Sequence, residues 1–136
     1  MSVFCFIDEV AEVKKGESLT AYFTLKGNEE FLKDHFNGFP VMPGVLLLEA
    51  LKQAASALLE PAAKDSKVFY RLSGVEDAKF GQFVKPGSRL KIFVKFLKSE
   101  GLFSFFDGRI DLIAPLPEGA SQGRALTAGL KLARAA

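Results

Sequence analysis

Two side chains frame the stretch of this chain best suited to chemistry: His35, its single histidine, and the carboxylate Glu49. Between them runs a loop rich in Gly and Pro, Phe36-Asn37-Gly38-Phe39-Pro40-Val41-Met42-Pro43-Gly44, followed by the apolar run Val45-Leu46-Leu47-Leu48. An imidazole titrates at about pH 6.5, so near neutrality the neutral ring can accept a proton. Glu49 lies about a turn and a half into a helical pattern, flanked by Leu48, Ala50 and Leu51. If that helix is embedded, burial raises the pKa of the carboxyl, and a carboxyl that keeps its proton at neutral pH can act as a general acid. Gln53, four residues on, is spaced to hydrogen-bond and orient it. Gly44 adds a backbone N–H at the positive end of the helix and, with no side chain, lets a carbonyl come close. A base, an acid and an oxyanion-type donor suit proton removal beside a carbonyl with protonation of a leaving group.

A plainer alternative stands beside this reading. His35 can be a surface or packed histidine, Glu49 one solvated member of a polar stripe, and Gly44 ordinary helix-start chemistry. The sequence contains no phosphate-binding Gly loop and no Gly-x-Ser-x-Gly elbow. A single His and a single Cys, Cys5, leave neither a metal-ligand spacing nor a disulfide framework.

The elements that must position these groups follow from periodicity. Pro43 suits the first helical position, and the pattern predicts a helix over 44–60 that Pro61 ends. Its polar residues Glu49, Lys52, Gln53, Ser56 and Glu60 recur every three or four positions on one stripe, and the rest is Val, Leu or Ala. So wide an apolar face predicts a helix in contact with other structure on most sides. Strands are expected within 3–13 and over 18–26, where Leu19, Ala21, Phe23 and Leu25 alternate with Thr20, Tyr22 and Thr24. Asn28 is a candidate N-cap for a short helical turn over 29–33. Two short strands are expected over 68–75 and 78–84, then a hairpin from Leu90, Ile92, Val94 and Phe96 through Ser99-Glu100-Gly101 into 102–113. Leu126, Ala128, Leu130 and Leu132 form a last strand. One long helix and about six strands joined by hairpins predict an α+β fold, a mostly antiparallel sheet wrapped around the helix. Such a sheet leaves open edges through which two copies can pair.

At 136 residues the length predicts one domain with a real core. Fourteen Phe and no Trp suit a core as well as an apolar cavity. Eighteen basic against sixteen acidic residues, with no block of like charge, argue against nucleic acid as a partner. No run approaches a membrane span and the first residues do not resemble a signal peptide, so a cytoplasmic protein without membrane attachment is expected.

The run His35 to Ala50, with Met42-Pro43-Gly44 and the following Glu49-Ala50-Leu51-Lys52-Gln53, closely resembles the active-site signature of FabZ-type 3-hydroxyacyl-(acyl-carrier-protein) dehydratases. Gly74 to Phe80 and Lys85-Pro86-Gly87 resemble the strand that follows the helix in that family, and Glu9 to Gly16 does so more loosely. The resemblance implies a hotdog fold, acid–base sites shared across a homodimer, and often a trimer of dimers. It implies loss of water from a (3R)-3-hydroxyacyl thioester carried by acyl carrier protein, giving the trans-2-enoyl product without metal or redox cofactor. By carry-over His35 takes the C2 proton, Glu49 helps expel the C3 hydroxyl, and the Gly44 N–H polarises the thioester carbonyl. Val45, Gln53 and Phe36 fall among the substrate-contacting positions. Three places depart from the pattern: Asn37 stands where the family usually has Pro, Phe39 where it has Arg or His, and Gly81-Gln82-Phe83 where it has a basic pair and Pro. Lys79, Lys85 and Arg71 are the basic residues available to meet an acidic carrier instead. The resemblance implies a place in fatty acid synthesis, and the departures leave room for a related polyene or polyketide assembly. Rival readings are a thioesterase on the same fold, whose helix acid directs water, and a non-catalytic acyl-binding subunit.

Overall fold

Alternating side chains pull the segments before and after the helix into one sheet. A computed structural model describes residues 6–25, 44–59, 69–85, 87–113 and 121–135. The loop carrying His35 and Phe36, the turn expected over 29–33, and Pro43 lie outside the described residues. Strand β1 spans Glu9–Lys14 and β2 spans Ser18–Thr24. Gly16, at φ 78°, makes the turn between them, and Glu17 N–H donates to Lys14 C=O at 2.7 Å. Leu19, Ala21, Phe23 and Leu25 are buried, as their alternation requires. The helix α1 spans Gly44–Leu59. Strands β3 (Phe69–Phe80), β4 (Arg89–Glu100), β5 (Phe103–Ile113) and β6 (Ser121–Ala135) complete a sheet of order β1-β2-β4-β5-β6-β3. Every pairing is antiparallel. Among the described residues this is the architecture of the hotdog fold that the resemblance implies, a sheet wrapped on one helix.

The core lies between α1 and the inner face of the sheet. Leu47, Ala50, Leu51, Ala54, Ala55 and Leu58 recur at helical spacing and are buried against Leu90, Ile92, Val94, Phe106, Ile110, Leu126 and Leu130. Full burial contributes about 1.5–3 kcal/mol for each of the leucines. At the centre the sheet must come very close to the helix. A Cβ on Gly108 would stand 2.9 Å from Leu51 Cδ2, so glycine is what lets β5 meet the helix there. Phe6, ahead of β1, closes one end with its ring edge-on to Phe23 at 5.6 Å.

Two expectations are corrected. The segments 68–75 and 78–84 form one strand, β3, ending at Phe80, and its continuity survives two register shifts against β6, at Leu72/Gly74 and at Glu76/Lys79. Each admits one extra residue on β3, a β-bulge that looks in sequence like a break between strands. The second correction concerns α1. Its wide apolar face is only partly covered within one chain: Val45 is 69% exposed, and Leu46, Leu48 and Leu59 are only partly buried. A sheet wrapped around one side of a helix cannot reach the other side. Among the described residues no helix is long and apolar enough to cross a membrane.

Candidate active site

Glu49 and Gln53 occupy successive turns of α1 on the side turned away from the core residues. Gln53 Nε2 donates to Glu49 Oε2 at 3.2 Å. The other end of the same amide accepts the backbone N–H of Phe6 on Oε1 at 2.8 Å. That second bond decides the first. A backbone N–H needs an oxygen, so Oε1 turns to Phe6 and the NH₂ turns to Glu49. Lys52 Nζ also reaches Glu49 Oε2, at 3.5 Å, as an i,i+3 pair on the helix surface. Pairs this open to water contribute about 0–1 kcal/mol, so Lys52 adds little to the position of the carboxylate. Both donors meet Oε2, which orients the carboxylate group around that anchored oxygen.

The burial expected for Glu49 is not found within one chain. Its side chain keeps 32% exposure, because it projects from the helix face that the sheet does not cover. Gly44 opens α1, so its N–H is among the first four that find no acceptor inside the helix. Five residues separate Gly44 from Glu49, an axial rise of about 7.5 Å. At 3.6 residues per turn the two also stand about 140° apart around the helix axis, so Gly44 and Glu49 face different sides of α1. Val45, the next residue, is among the most exposed apolar side chains described and borders the same helix start.

Sequence reasoning missed two neighbours of the site. Phe6 is 47 positions from Gln53 and carries no polar side chain to mark it. Phe80 closes on the helix start: a Cβ built on Gly44 would stand 2.8 Å from Phe80 Cε1. Nothing local in either segment announces those contacts.

The three basic residues read as a docking group are all exposed, yet they do not gather into one patch. Arg71 and Lys79 sit at opposite ends of β3, and eight residues of strand separate them by about 20–25 Å. Lys79 and Lys85 remain near each other in the chain. The unusual Gly81 also finds its cause. Gly81 N–H donates to Ala125 C=O at 2.8 Å and Gln82 N–H to Arg124 C=O at 2.9 Å, which lays this segment along β6. A Cβ at Gly81 would overlap the carbonyl oxygen of Arg124, so no side chain fits without moving β6. Gly81→Arg is therefore expected to lower the melting temperature by several degrees while Lys79→Ala leaves it within about a degree, read by thermal denaturation.

Gln53 yields a further expected result. Gln53→Leu removes both the donor to Glu49 and this acceptor for Phe6. Loss of one such acceptor costs about 1 kcal/mol, a fall of about 4 °C in Tm. Turnover should drop by a larger factor than stability explains, and a variant as active as the wild type would dismiss the bridge as incidental.

Comparison with known proteins places these features in context. Residues 11–113 match the family model described as ApeI-like, ApeI dehydratase. A 3-hydroxyacyl-[acyl-carrier-protein] dehydratase FabZ of Lactiplantibacillus plantarum is 44% identical over 93 residues, 68% of this chain and 63% of the relative. The match thus spans less than two thirds of that relative's length. The FabZ of Oceanobacillus iheyensis is 40% identical over 72% of this chain and 70% of its own. Among solved structures, the dehydratase heterocomplex ApeI:P from Xenorhabdus doucetiae superposes with a TM-score of 0.74 at 19% identity, covering 96% of this chain and 83% of that one. At that identity the likeness speaks for the fold.

Proposed function

This chain belongs to the family of FabZ- and ApeI-type 3-hydroxyacyl-[acyl-carrier-protein] dehydratases, and on that premise we propose that it removes water from a (3R)-3-hydroxyacyl thioester borne by an acyl carrier protein. The observation that carries the reading is the Phe6–Gln53–Glu49 chain of hydrogen bonds, which fixes one carboxylate about a turn and a half from the N–H of Gly44. The thioester oxygen accepts the Gly44 N–H, which draws electron density from C2. Neutral His35 takes the proton from C2, the electrons of that C–H bond form the C2=C3 double bond, and the C3–O bond breaks. The departing hydroxyl receives a proton from the Glu49 carboxyl and leaves as water. The trans-2-enoyl thioester remains, and His35 and Glu49 exchange the proton balance through solvent before the next turn.

The open face of α1 supports a site completed by a second copy. Glu49 is partly exposed there beside Val45, Leu46 and Leu48, and β3 offers a twelve-residue edge where the opposite edge, β1, offers six. In this reading His35 of one subunit faces Glu49 of the other, and the active species is a homodimer in the cytoplasm, alone or three to a hexamer. Sedimentation at assay concentration tests this: a monomer with full activity would refute the shared site.

Enoyl absorbance during incubation with a 3-hydroxyacyl thioester tests the reaction itself. Free thiol released without any enoyl signal would instead identify a thioesterase.

A further inference from the structure

The second bulge of β3 carries the one non-glycine residue with positive φ among the described residues, Asp77 at 53°. Asp tolerates the left-handed region better than most side chains, so the strain is modest, but it marks a place where the backbone is held off its ordinary course. The register shows what the bulge achieves. Glu76 pairs with Gly129 on the outer face of the sheet. Strict alternation from Glu76 would then put Lys79 on the inner face and Phe80 on the outer one. The extra residue reverses this: Lys79 pairs with Thr127 outside, and Phe80 pairs with the fully buried Leu126 on the helix side.

Phe80 does not use that orientation to enter the core. It stays 54% exposed, with the edge of its ring in the space a Cβ of Gly44 would fill, 2.8 Å from Cε1. In a helix the Cα–Cβ bond tilts toward the N-terminus, the direction in which the first N–H groups also point. A ring occupying the Cβ direction of Gly44 therefore flanks whatever accepts its N–H. An acceptor about 3 Å from that nitrogen brings the atoms next to it into van der Waals reach of the ring.

We propose that the Asp77 bulge aims Phe80 at the start of α1, where its ring forms a wall of the site and positions the thioester end of a pantetheine-linked acyl chain. This deepens the reading above and rests on it for the identity of the ligand. Phe80 is a positioning residue; it takes no part in proton transfer. Its half-open face offers apolar contact to the two methylenes between sulfur and the first amide of the arm, while the closed face holds Gly44 free of competing side chains.

The test measures binding apart from turnover. The probe is a 3-hydroxyacyl-pantetheine analogue with an amide in place of the thioester, which keeps the carbonyl and is not consumed. Phe80→Ala is expected to weaken its binding about tenfold, the effect of losing roughly half an aromatic ring of apolar contact, with Phe80→Tyr restoring it. With the thioester substrate the same loss should appear in KM, leaving kcat within about threefold. Gly44→Ala forces a Cβ against the ring, so Gly44→Ala/Phe80→Ala should bind the probe better than Gly44→Ala alone. Asp77→Gly should match the wild type, and Asp77→Val, whose branched side chain resists positive φ, should approach Phe80→Ala. Unchanged probe affinity in Phe80→Ala, a wild type that does not bind the probe, or a double variant no better than Gly44→Ala would each overturn the proposal. So would a change in sedimentation of Phe80→Ala, which would assign the ring to contact between copies. A wild type that binds the probe in a Phe80-dependent way yet forms no enoyl product would leave Phe80 in place and remove the dehydratase reading instead.

Discussion

Glu49→Gln is expected to lower turnover of a 3-hydroxyacyl thioester by roughly 10²–10⁴-fold, the usual contribution of one acid–base group, while the melting temperature stays within about two degrees. The separation of the two effects follows from where the side chain stands. Glu49 packs on the uncovered side of α1, where its hydrogen-bond partners among the described residues, Lys52 and Gln53, both donate to a single oxygen, away from the buried face of the helix. The Gln amide is nearly the same size, so the helix keeps its shape and only the ionisable group is lost. His35→Ala should bring a loss of the same order, and the double variant should lose little more than either alone, because a proton withdrawn without a leaving group departing leads nowhere. Turnover by both single variants at the wild-type rate would end the pairing. Independent, multiplying losses would show instead that the two groups act in separate steps.

Leu51→Ala carries the largest expected effect on stability, about 3 kcal/mol and some 10 °C in Tm. Leu51 is fully buried at the middle of α1, and its two methyls rest on the bare backbone of Gly108. No neighbouring side chain at position 108 can move into the vacated space, so the site cannot collapse well and the cavity term is near its full size. Gly108→Ala alone should also destabilise, by about 1–2 kcal/mol, because its Cβ would press on Leu51 Cδ2. Combined, the two should cost less than their sum, since the new methyl occupies part of the void. Strict additivity in denaturant titrations would mean that the helix and β5 do not meet at this pair.

How much of this was legible beforehand depended on the range of the interaction. The alternation of Leu90, Ile92, Val94 and Phe96, the turn glycines Gly16, Gly87 and Gly101 with positive φ, and the start of α1 at Gly44 all express preferences of a few neighbouring residues, and they appear where the pattern places them. The bond from Gln53 to Glu49 belongs to the same class, because residues four apart on a helix are neighbours by construction. The family signature was legible too, and with it the fold and the expected chemistry.

The bulges of β3 were not legible, and two short strands were expected in place of one. Whether Asp77 adopts positive φ depends on the register of β6, a partner some fifty residues away, and no local propensity encodes that distance. The same holds for Phe6 on Gln53 and for Phe80 on Gly44, contacts between segments that meet only once the sheet has curled. Composition also suggested an embedded Glu49, yet hydrophobic periodicity reports how much apolar surface a helix has and not which partner covers it. In short, residue type and spacing determined that a carboxylate would stand one and a half turns into a helix that opens on glycine. Tertiary structure decided what surrounds that carboxylate, because an extra residue in one strand and the curl of one sheet bring Phe6 to Gln53 and Phe80 to Gly44 while the outer face of α1 stays open.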